Sequence, residues 1–389
     1  MRYDMQSIVS SSSPLVNSSS GQVKVAVGLQ SGDLTALTAE LTLAKSDGAQ
    51  IALLTEEDFG QTGEPLDGPH VTGLRAAAKA LSIFIIAPVR LNLGKGRNFN
   101  AAVVVGKSGE LLNSTAGVPY YQKVMPVLEF PVPNRPPSFP NDLPEGVIPG
   151  QQGVQAWDLP GIGRIAVLIC FDINFFENWH AAYALGAQVV FWPSMMQTPD
   201  RDMISLARLY RFHIVAHGYP GSIVNGTGRQ VPDFKALVGG DKWCKNTPNK
   251  IIHDCGVRTG SLDLDATWVH ENGPGPLNCP AIARMCQEHK GVFELTVPGC
   301  GEFYHHPNAC AVGCSCGAVV PGETVKNDNS IFVVRSKQPH KFPVRAAIRR
   351  HGVVPYHDFI KGSRQALNAL RQARADIPRH KGHRSTIVA

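Results

Sequence analysis

The chain has little charge and few aromatic side chains for its length. Of its 389 residues, 17% are charged, 7% are aromatic, and the net charge is +6. Because no dense basic stripe interleaved with aromatic residues occurs, we predict no nucleic-acid partner. No apolar run approaches the roughly 20 residues that a membrane-spanning helix needs, so no membrane segment is predicted.

The first twenty residues lack the apolar core of a secretory signal and contain eight serines. We therefore expect residues 1–21 to be a disordered Ser-rich leader, with an organelle transit peptide as the alternative, and we expect a cytoplasmic, reduced location for the protein. The chain as a whole is 43% hydrophobic. This content is sufficient for one large core or two ordinary ones.

Apolar runs of strand length alternate with amphipathic helical segments, a pattern that predicts an α/β fold with helices covering the sheets. This pattern predicts a first domain over residues 22–265. Beyond it, residues 266–389 form an extension in which a loop-like, Cys-rich stretch (268–324) precedes a strand (330–336) and helices (344–374). The strands predicted in the first domain are 22–29, 50–54, 82–87, 101–105, 164–169, 188–192, 212–216 and 260–265.

One of these predicted strands, Arg164–Ile169, leads directly into Cys170. In parallel α/β sheets, ligands bind and reactions take place at the carboxyl ends of the strands. The Cys170 thiol is therefore a candidate nucleophile. The alternative is a small apolar core residue, because free cysteine is among the most buried residue types.

Two further chain segments bring reactive groups to strand ends. Glu56 follows the strand 50–54, and Lys123 follows the Tyr-rich segment Tyr120–Gln122. A cysteine nucleophile needs a base that removes its proton and a donor that stabilises the oxyanion created by its attack. A carboxylate and a lysine would supply these two roles.

Four blocks of the sequence resemble the nitrilase, or carbon–nitrogen hydrolase, superfamily. They are Gly48–Glu56 (GAQIALLTE), Tyr121–Pro126 (YQKVMP), Ile169–Glu177 (ICFDINFFE) and Gly186–Ser194 (GAQVVFWPS). The order Glu, Lys, Cys also fits that family, and the resemblance extends from about Val23 to Asp265.

The resemblance implies a four-layer α-β-β-α sandwich that assembles into homodimers or higher homo-oligomers. It implies that Glu56 is the general base and that Lys123 stabilises the tetrahedral intermediate together with the backbone N–H of Phe171. Cys170 would form a thioester with a small amide or carbamoyl substrate, which water then hydrolyses. No metal or organic cofactor is implied.

The same resemblance suggests further pocket residues and a substrate class. Glu129 would be a second pocket carboxylate, unless it is a simple ion-pair partner, and Pro193 and Ser194 would line the substrate site. True nitrilases carry Cys-Trp-Glu, whereas this chain has Cys-Phe-Asp at 170–172, so amides or N-carbamoyl compounds are favoured over nitriles. Thr55 departs from the family by replacing the proline before the glutamate.

Two glycine-containing segments mimic nucleotide-binding motifs. Gly161–Ala166 resembles a dinucleotide fingerprint but precedes a strand, which is the wrong context. Gly106–Ser108 resembles the end of a P-loop, yet Ala101 stands where the motif requires glycine. We predict that both segments are turns.

Six of the nine cysteines fall between Cys279 and Cys316, near His305 and His306. Zinc, disulfides and unpaired thiols all remain open for this cluster, since its spacing only approaches that of paired zinc ligands. Because vanin and biotinidase enzymes also have a Cys-Phe-Asp-Ile motif and a cysteine-containing extension, a secreted pantetheinase-like hydrolase is one alternative function. A catalytically silent scaffold that binds a partner through its extension is another.

Overall fold

The computed structural model divides the chain into two compact units, Met1–Leu264 and Asp265–Ala389. The structure describes residues 21–29, 32–56, 59, 62–94, 97–126, 147–197, 200–219, 221–226, 228–237, 256–264, 267–270, 284–285, 287–296, 331–338, 341 and 344–353.

The first unit contains a seven-stranded sheet with the strand order β11-β12-β1-β2-β3-β4-β5. In it β1, β2 and β3 run parallel, and the flanking strands are antiparallel to their neighbours. Its strands are β1 (Gln22–Leu29), β2 (Ile51–Leu54), β3 (Phe84–Asn92), β4 (Asn98–Val105), β5 (Tyr120–Gln122), β11 (Lys235–Ala236) and β12 (Arg258–Asp263).

A second sheet of five strands has the order β10-β9-β8-β7-β6. Here β7, β8 and β9 are parallel, and an antiparallel strand flanks them on each side. Its strands are β6 (Ala156–Leu159), β7 (Gly163–Val167), β8 (Val189–Gln197), β9 (His213–Tyr219) and β10 (Ser222–Val224).

Helices cover the outer faces of both sheets. The first sheet packs against α1 (Leu34–Ser46) and α2 (Pro69–Leu81), and the second against α4 (Asp200–Tyr210), beside which lies α3 (Phe176–Ala184). The inner faces meet where β1 and β2 contact β8 and β9. The predicted four-layer α-β-β-α sandwich is therefore confirmed.

The central strands are buried on both faces, as their continuous apolar runs predict. In β2, Ala52 and Leu54 belong to the core between the first sheet and its helices. Ile51 and Leu53 point the other way because side chains alternate along a strand, and they are equally buried. This double coverage leaves the residues after the carboxyl ends of the strands as the place for polar groups.

Capping groups fix where the helices of the first layer begin. The Asp33 side chain accepts hydrogen bonds from the N–H groups of Thr35 and Ala36, at 2.8 and 2.9 Å, and so caps α1. Helix α2 has Gly68 at its N-cap, and Glu64 instead accepts from the N–H of Val71 at 2.9 Å. Glu64 thus has a structural role in the first layer.

Of the two glycine segments that mimic nucleotide motifs, Gly106–Ser108 lies in a turn, whereas Gly161–Ala166 is a turn only at 161–162 and then belongs to β7. Gly109 adopts φ +84° and donates its N–H to Gly106 O at 2.9 Å, and Ile162 donates to Leu159 O at 3.0 Å between β6 and β7. Neither segment opens a helix. Neither therefore supplies the helix N-terminus that a bound phosphate needs.

The second unit contains an antiparallel sheet of β13 (Thr267–His270), β15 (Ile331–Ser336) and β14 (Phe293–Thr296), in that order. Helix α5 (Val344–Arg350) packs against β15. The strand predicted at 330–336 is present, but β13 and β14 lie in the stretch predicted as loop. Composition misled there, because turn-forming residues around a short strand outweigh its own apolar pattern. The cysteines from Cys279 to Cys316 lie outside the described residues.

Among the residues that the structure describes, no helix is both long enough and apolar enough to cross a membrane.

Candidate active site

Glu56, Lys123 and Cys170 follow three different strands of the sandwich. Glu56 lies two residues beyond β2, Lys123 directly follows β5, and Cys170 lies three residues beyond β7. Lys123 Nζ is 2.9 Å from Glu56 Oε1, and the Cys170 thiol hydrogen bonds with the Glu56 side chain. All three side chains are buried. The structure thus brings together the three residues that the sequence singled out.

The Glu56 carboxylate is held by donors from three elements. Besides Lys123, its Oε1 accepts from Asn100 Nδ2 on β4 at 2.7 Å, and its Oε2 accepts from the N–H of Met195 on β8 at 3.2 Å. Because carboxylate–donor bonds are directional, these contacts fix the orientation of the carboxylate towards Cys170.

The ion pair between Glu56 and Lys123 is almost completely withdrawn from water, with side-chain exposures of 5% and 1%. Transfer of two charges out of water costs several kcal/mol per ion, an amount that their attraction offsets only with good geometry and further hydrogen bonds. A buried pair of this kind contributes little to stability. Such pairs are enriched at functional sites, where the charges serve chemistry.

Cys170 lies at the start of a tight 3-10 turn, Cys170–Asn174, which we name the nucleophile turn. The backbone of Cys170 has φ +45°, in the left-handed region that non-glycine residues avoid. Its carbonyl accepts from Trp192 Nε1 at 2.8 Å, and this bond anchors the turn to β8. A strained backbone held by surrounding bonds is characteristic of functional positions.

The thiol of Cys170 is protonated at neutral pH in the free protein. Burial raises the pKa of this thiol to about 12, the negative charge of Glu56 raises the pKa further, and Lys123 and a hydrogen bond with Ser194 lower it. Because the thiol is not ionised in advance, its attack on a substrate requires a base at the moment of reaction. Glu56 is in contact with the thiol and therefore lies where such a base is needed.

This thiol pKa leads to a prediction about alkylation. We expect the rate of Cys170 modification by iodoacetamide, followed by mass spectrometry, to rise with pH through pH 8 to 10 without reaching a plateau. In Glu56→Gln the neighbouring negative charge is lost, so the thiol pKa falls and the curve moves to lower pH. A plateau near pH 8 in the wild-type protein would contradict the protonated thiol.

The other predicted pocket residues have different positions. Ser194 on β8 is fully buried, hydrogen bonds with the Cys170 thiol, and accepts at its carbonyl from Thr55 Oγ1 at 3.3 Å. Pro193 is buried and pairs in register with His217 on β9. Phe171 is half-buried in the nucleophile turn, and Glu129 lies outside the described residues. Substrate contact by these residues stays a prediction.

Asn100 and the Met195 N–H are site groups that the sequence did not reveal. Asn100 directly precedes the apolar run Ala101–Val105, and an amide at the start of a buried strand was the available signal. The Met195 contact is made by the backbone and leaves no signature in residue type. Thr55, which stands where the family has proline, has a structural role. Its hydroxyl donates to Ser194 O and so connects the end of β2 to β8.

We expect Asn100→Ala to lower kcat for hydrolysis by about 10-fold to 100-fold, the kinetic equivalent of one hydrogen bond to a charged group. Without the amide the Glu56 carboxylate loses its shortest contact and rotates more freely. Asn92→Ala in the same hairpin is a matched control, because Asn92 accepts from Gly94 N, at 2.9 Å, in the turn. Equal kcat values for the two variants would contradict a role for Asn100.

One group of described residues has the composition of a metal site, and it lies in the second unit. Glu288, His289 and His351 place their ligand atoms within 4.8 Å of one another. His351 Nε2 is 3.5 Å from Glu288 Oε2, so the two form an ion pair whenever His351 is protonated. The site of Glu56, Lys123 and Cys170 differs from this group, because its third member is a lysine and not a metal-ligating residue type.

Comparison with known proteins gives a family match for the region that carries this site. The family model described as carbon–nitrogen hydrolase matches residues 48–217, which include Glu56, Lys123 and Cys170. No curated protein matches the chain significantly.

Solved structures that match include two bacterial proteins. An amidase from Nesterenkonia sp. is 18% identical with a TM-score of 0.46, and the match covers 65% of this chain and 94% of that chain. A carbon–nitrogen hydrolase from Helicobacter pylori G27 is 17% identical with a TM-score of 0.47, and the match covers 63% of this chain and 90% of that chain.

The family match falls on the same stretch as the four sequence blocks and spans both halves of the sandwich. Residues 48–217 therefore match the carbon–nitrogen hydrolase family.

Proposed function

We propose that the protein hydrolyses a non-peptide amide or N-carbamoyl compound through a thioester on Cys170. The observation that carries this proposal is the buried Glu56–Lys123 pair in contact with a protonated thiol. The arrangement supplies a nucleophile, a base and a cation at one point, and these are the groups that acyl transfer from nitrogen needs.

The first half of the reaction forms the thioester. As Cys170 Sγ bonds to the substrate carbonyl carbon, the thiol proton moves to the Glu56 carboxylate and the carbonyl oxygen becomes an oxyanion. The Lys123 ammonium and the Phe171 N–H stabilise this oxyanion. The C–N bond then breaks, the nitrogen takes the proton from Glu56, and ammonia or an amine leaves.

The second half regenerates the enzyme. Water bonds to the thioester carbon and gives its proton to Glu56, the C–S bond breaks, and the Cys170 sulfur takes the proton back. An amide substrate yields a carboxylic acid, and an N-carbamoyl substrate yields carbamic acid, which loses carbon dioxide. Because one carboxylate acts as base and then as acid in both halves, its fixed orientation matters twice.

An amide or carbamoyl group fits this chain better than a nitrile. The residues after the nucleophile are Phe171 and Asp172, whereas the resemblance associates nitrile hydrolysis with Trp and Glu. A silent scaffold is disfavoured because a charged pair buried beside a thiol is expensive to keep for no chemical purpose.

A release assay tests the proposal directly. The purified whole chain is incubated with primary amides, N-carbamoyl compounds and nitriles, and ammonia is measured, while intact mass spectrometry of rapidly acidified samples detects the acyl adduct on Cys170. We expect ammonia and an adduct with at least one amide or carbamoyl substrate. Turnover of nitriles alone would contradict the substrate class, and no turnover of any compound would contradict the function.

A further inference from the structure

Asp172 is a fully buried carboxylate next to the active site that the proposed mechanism does not use. It lies in the nucleophile turn two residues beyond Cys170 and has no exposed surface. A buried carboxylate is expensive unless donors surround it, so its contacts indicate why it is there.

Three donors converge on this carboxylate. Asp172 Oδ2 accepts from the Tyr121 hydroxyl at 2.7 Å and from the Ile169 N–H at 2.9 Å. Its other oxygen, Oδ1, accepts from the Met125 N–H at 2.9 Å. An ionised carboxylate fits this set because it only accepts hydrogen bonds.

These donors belong to two segments of the chain that carry catalytic groups. Tyr121 and Met125 lie two residues before and two residues after Lys123, and Ile169 directly precedes Cys170. The backbone of Lys123 is held separately, since its N–H donates to Asn100 O and its carbonyl accepts from Gly150 N, both at 2.8 Å. Among the described residues, Asp172 thus joins the backbone of the lysine segment to the nucleophile turn.

We propose that Asp172 is a positioning residue that sets the placement of the Lys123 ammonium relative to the Cys170 thiol. This inference rests on the proposed function, because it assigns Asp172 a role in the same reaction. When the carboxylate is intact, the oxyanion donor and the nucleophile are held by one rigid group. When it is lost, each segment is free to shift, and misplacement by about 1 Å lowers rates by about 100-fold.

Asparagine cannot replace this carboxylate, although it has the same size. Its amide offers one acceptor oxygen, and its NH₂ group would face a donor, either the Met125 N–H or the pair from Tyr121 and Ile169. Protonation of Asp172 causes the same mismatch, since one oxygen then carries a hydrogen.

The pH dependence follows from this mismatch. Burial raises the pKa of Asp172 to about 6, whereas the hydrogen bonds from Tyr121, Ile169 and Met125 and the charge of Lys123 lower it. The titratable groups that face Asp172 are the Tyr121 hydroxyl on β5 and the Lys123 ammonium after it. We expect kcat to fall as the pH drops below about 6 because Asp172 becomes protonated.

The stability of the fold should change with pH in the direction opposite to kcat. The folded-state pKa is above the ordinary value of 3.8, so the contribution of this group to stability is full below 3.8 and is lost as the pH rises through about 6. Acidification from pH 6 to pH 4 therefore favours the folded state at this residue while it lowers activity.

The test compares Asp172→Asn and Tyr121→Phe with wild type, using the substrate found by the release assay. We expect Asp172→Asn to lower kcat by about 100-fold. Tyr121→Phe keeps the carboxylate but removes a bond that lowers its pKa, so the acid limb of the kcat profile should move to higher pH. Since Tyr121 donates to Asp172, a shifted limb assigns the titration to Asp172. Tyr183→Phe on α3, where Tyr183 packs against Tyr210, is the matched control and should leave the limb in place.

An unchanged kcat in folded Asp172→Asn, or an unmoved acid limb in Tyr121→Phe, would overturn the positioning role. If Asp172→Asn does not fold, the Tyr121→Phe profile alone decides the question. Absence of turnover in the wild-type protein would overturn the proposed function, and the positioning role with it. Turnover in wild type with unaltered variants would overturn the positioning role alone.

Discussion

Replacement of Cys170 by alanine is expected to lower the hydrolysis of every carbon–nitrogen substrate by at least about 10⁴-fold, because no other group in the site can form the thioester. The proposed base and oxyanion donors would remain, and they would have no covalent intermediate to act on. The measurement is ammonia release at saturating substrate, with intact mass spectrometry to show that no acyl adduct forms.

The fold should survive this substitution. Cysteine and alanine differ by one buried sulfur atom, and the strained backbone at φ +45° is the same for both. We expect the free energy of unfolding to change by about 1 kcal/mol or less in magnitude. A folded Cys170→Ala protein that still releases ammonia at the wild-type rate would rule out Cys170 as the nucleophile.

Substitution of Glu56 by glutamine should lower kcat by about 10³-fold, within the range that general acid–base catalysis contributes. Glutamine keeps the size of the side chain, but its single acceptor oxygen can accept from only one of Asn100 and Met195, and it cannot take the thiol proton. It also leaves the Lys123 ammonium buried without a countercharge. We therefore expect a loss of stability of about 3 kcal/mol, measured by urea denaturation.

Two controls separate the chemical effect from the loss of stability. The double variant Glu56→Gln with Lys123→Met removes both charges, so it should recover stability without recovering activity. Glu64→Gln changes a buried carboxylate that caps α2, and it should reduce stability while kcat changes by less than about threefold. Wild-type kcat in the folded Glu56→Gln protein would exclude Glu56 as the base.

The layers of the fold were predictable from sequence because the apolar runs are strong and their lengths match the strand period. The residues at which the strands begin and end were less predictable. The strand before Cys170 ends at Val167, two residues earlier than its apolar run predicts, because Leu168 and Ile169 lead on into the nucleophile turn. A hydrophobic pattern indicates which residues are buried, and Leu168 and Ile169 are buried although they lie beyond the end of the strand.

The three reactive side chains were predictable because their residue types and spacing recur in a family. The groups that hold these side chains in place were not predictable. The donors on Glu56 come from β4 and β8, and a sequence pattern contains no information about which distant strand lies beside it. The convergence on Asp172 likewise depends on how β5 and the nucleophile turn approach each other.

The bond from the Met195 N–H to Glu56 connects a group after β2 of the first sheet with β8 of the second. The Thr55 hydroxyl joins the same two places. If one sheet folded without the other, Glu56 would therefore lack the donor that holds its carboxylate in place from β8. Appearance of activity during refolding would thus be a late event that reports the docking of the two sheets, well after the strands themselves have formed.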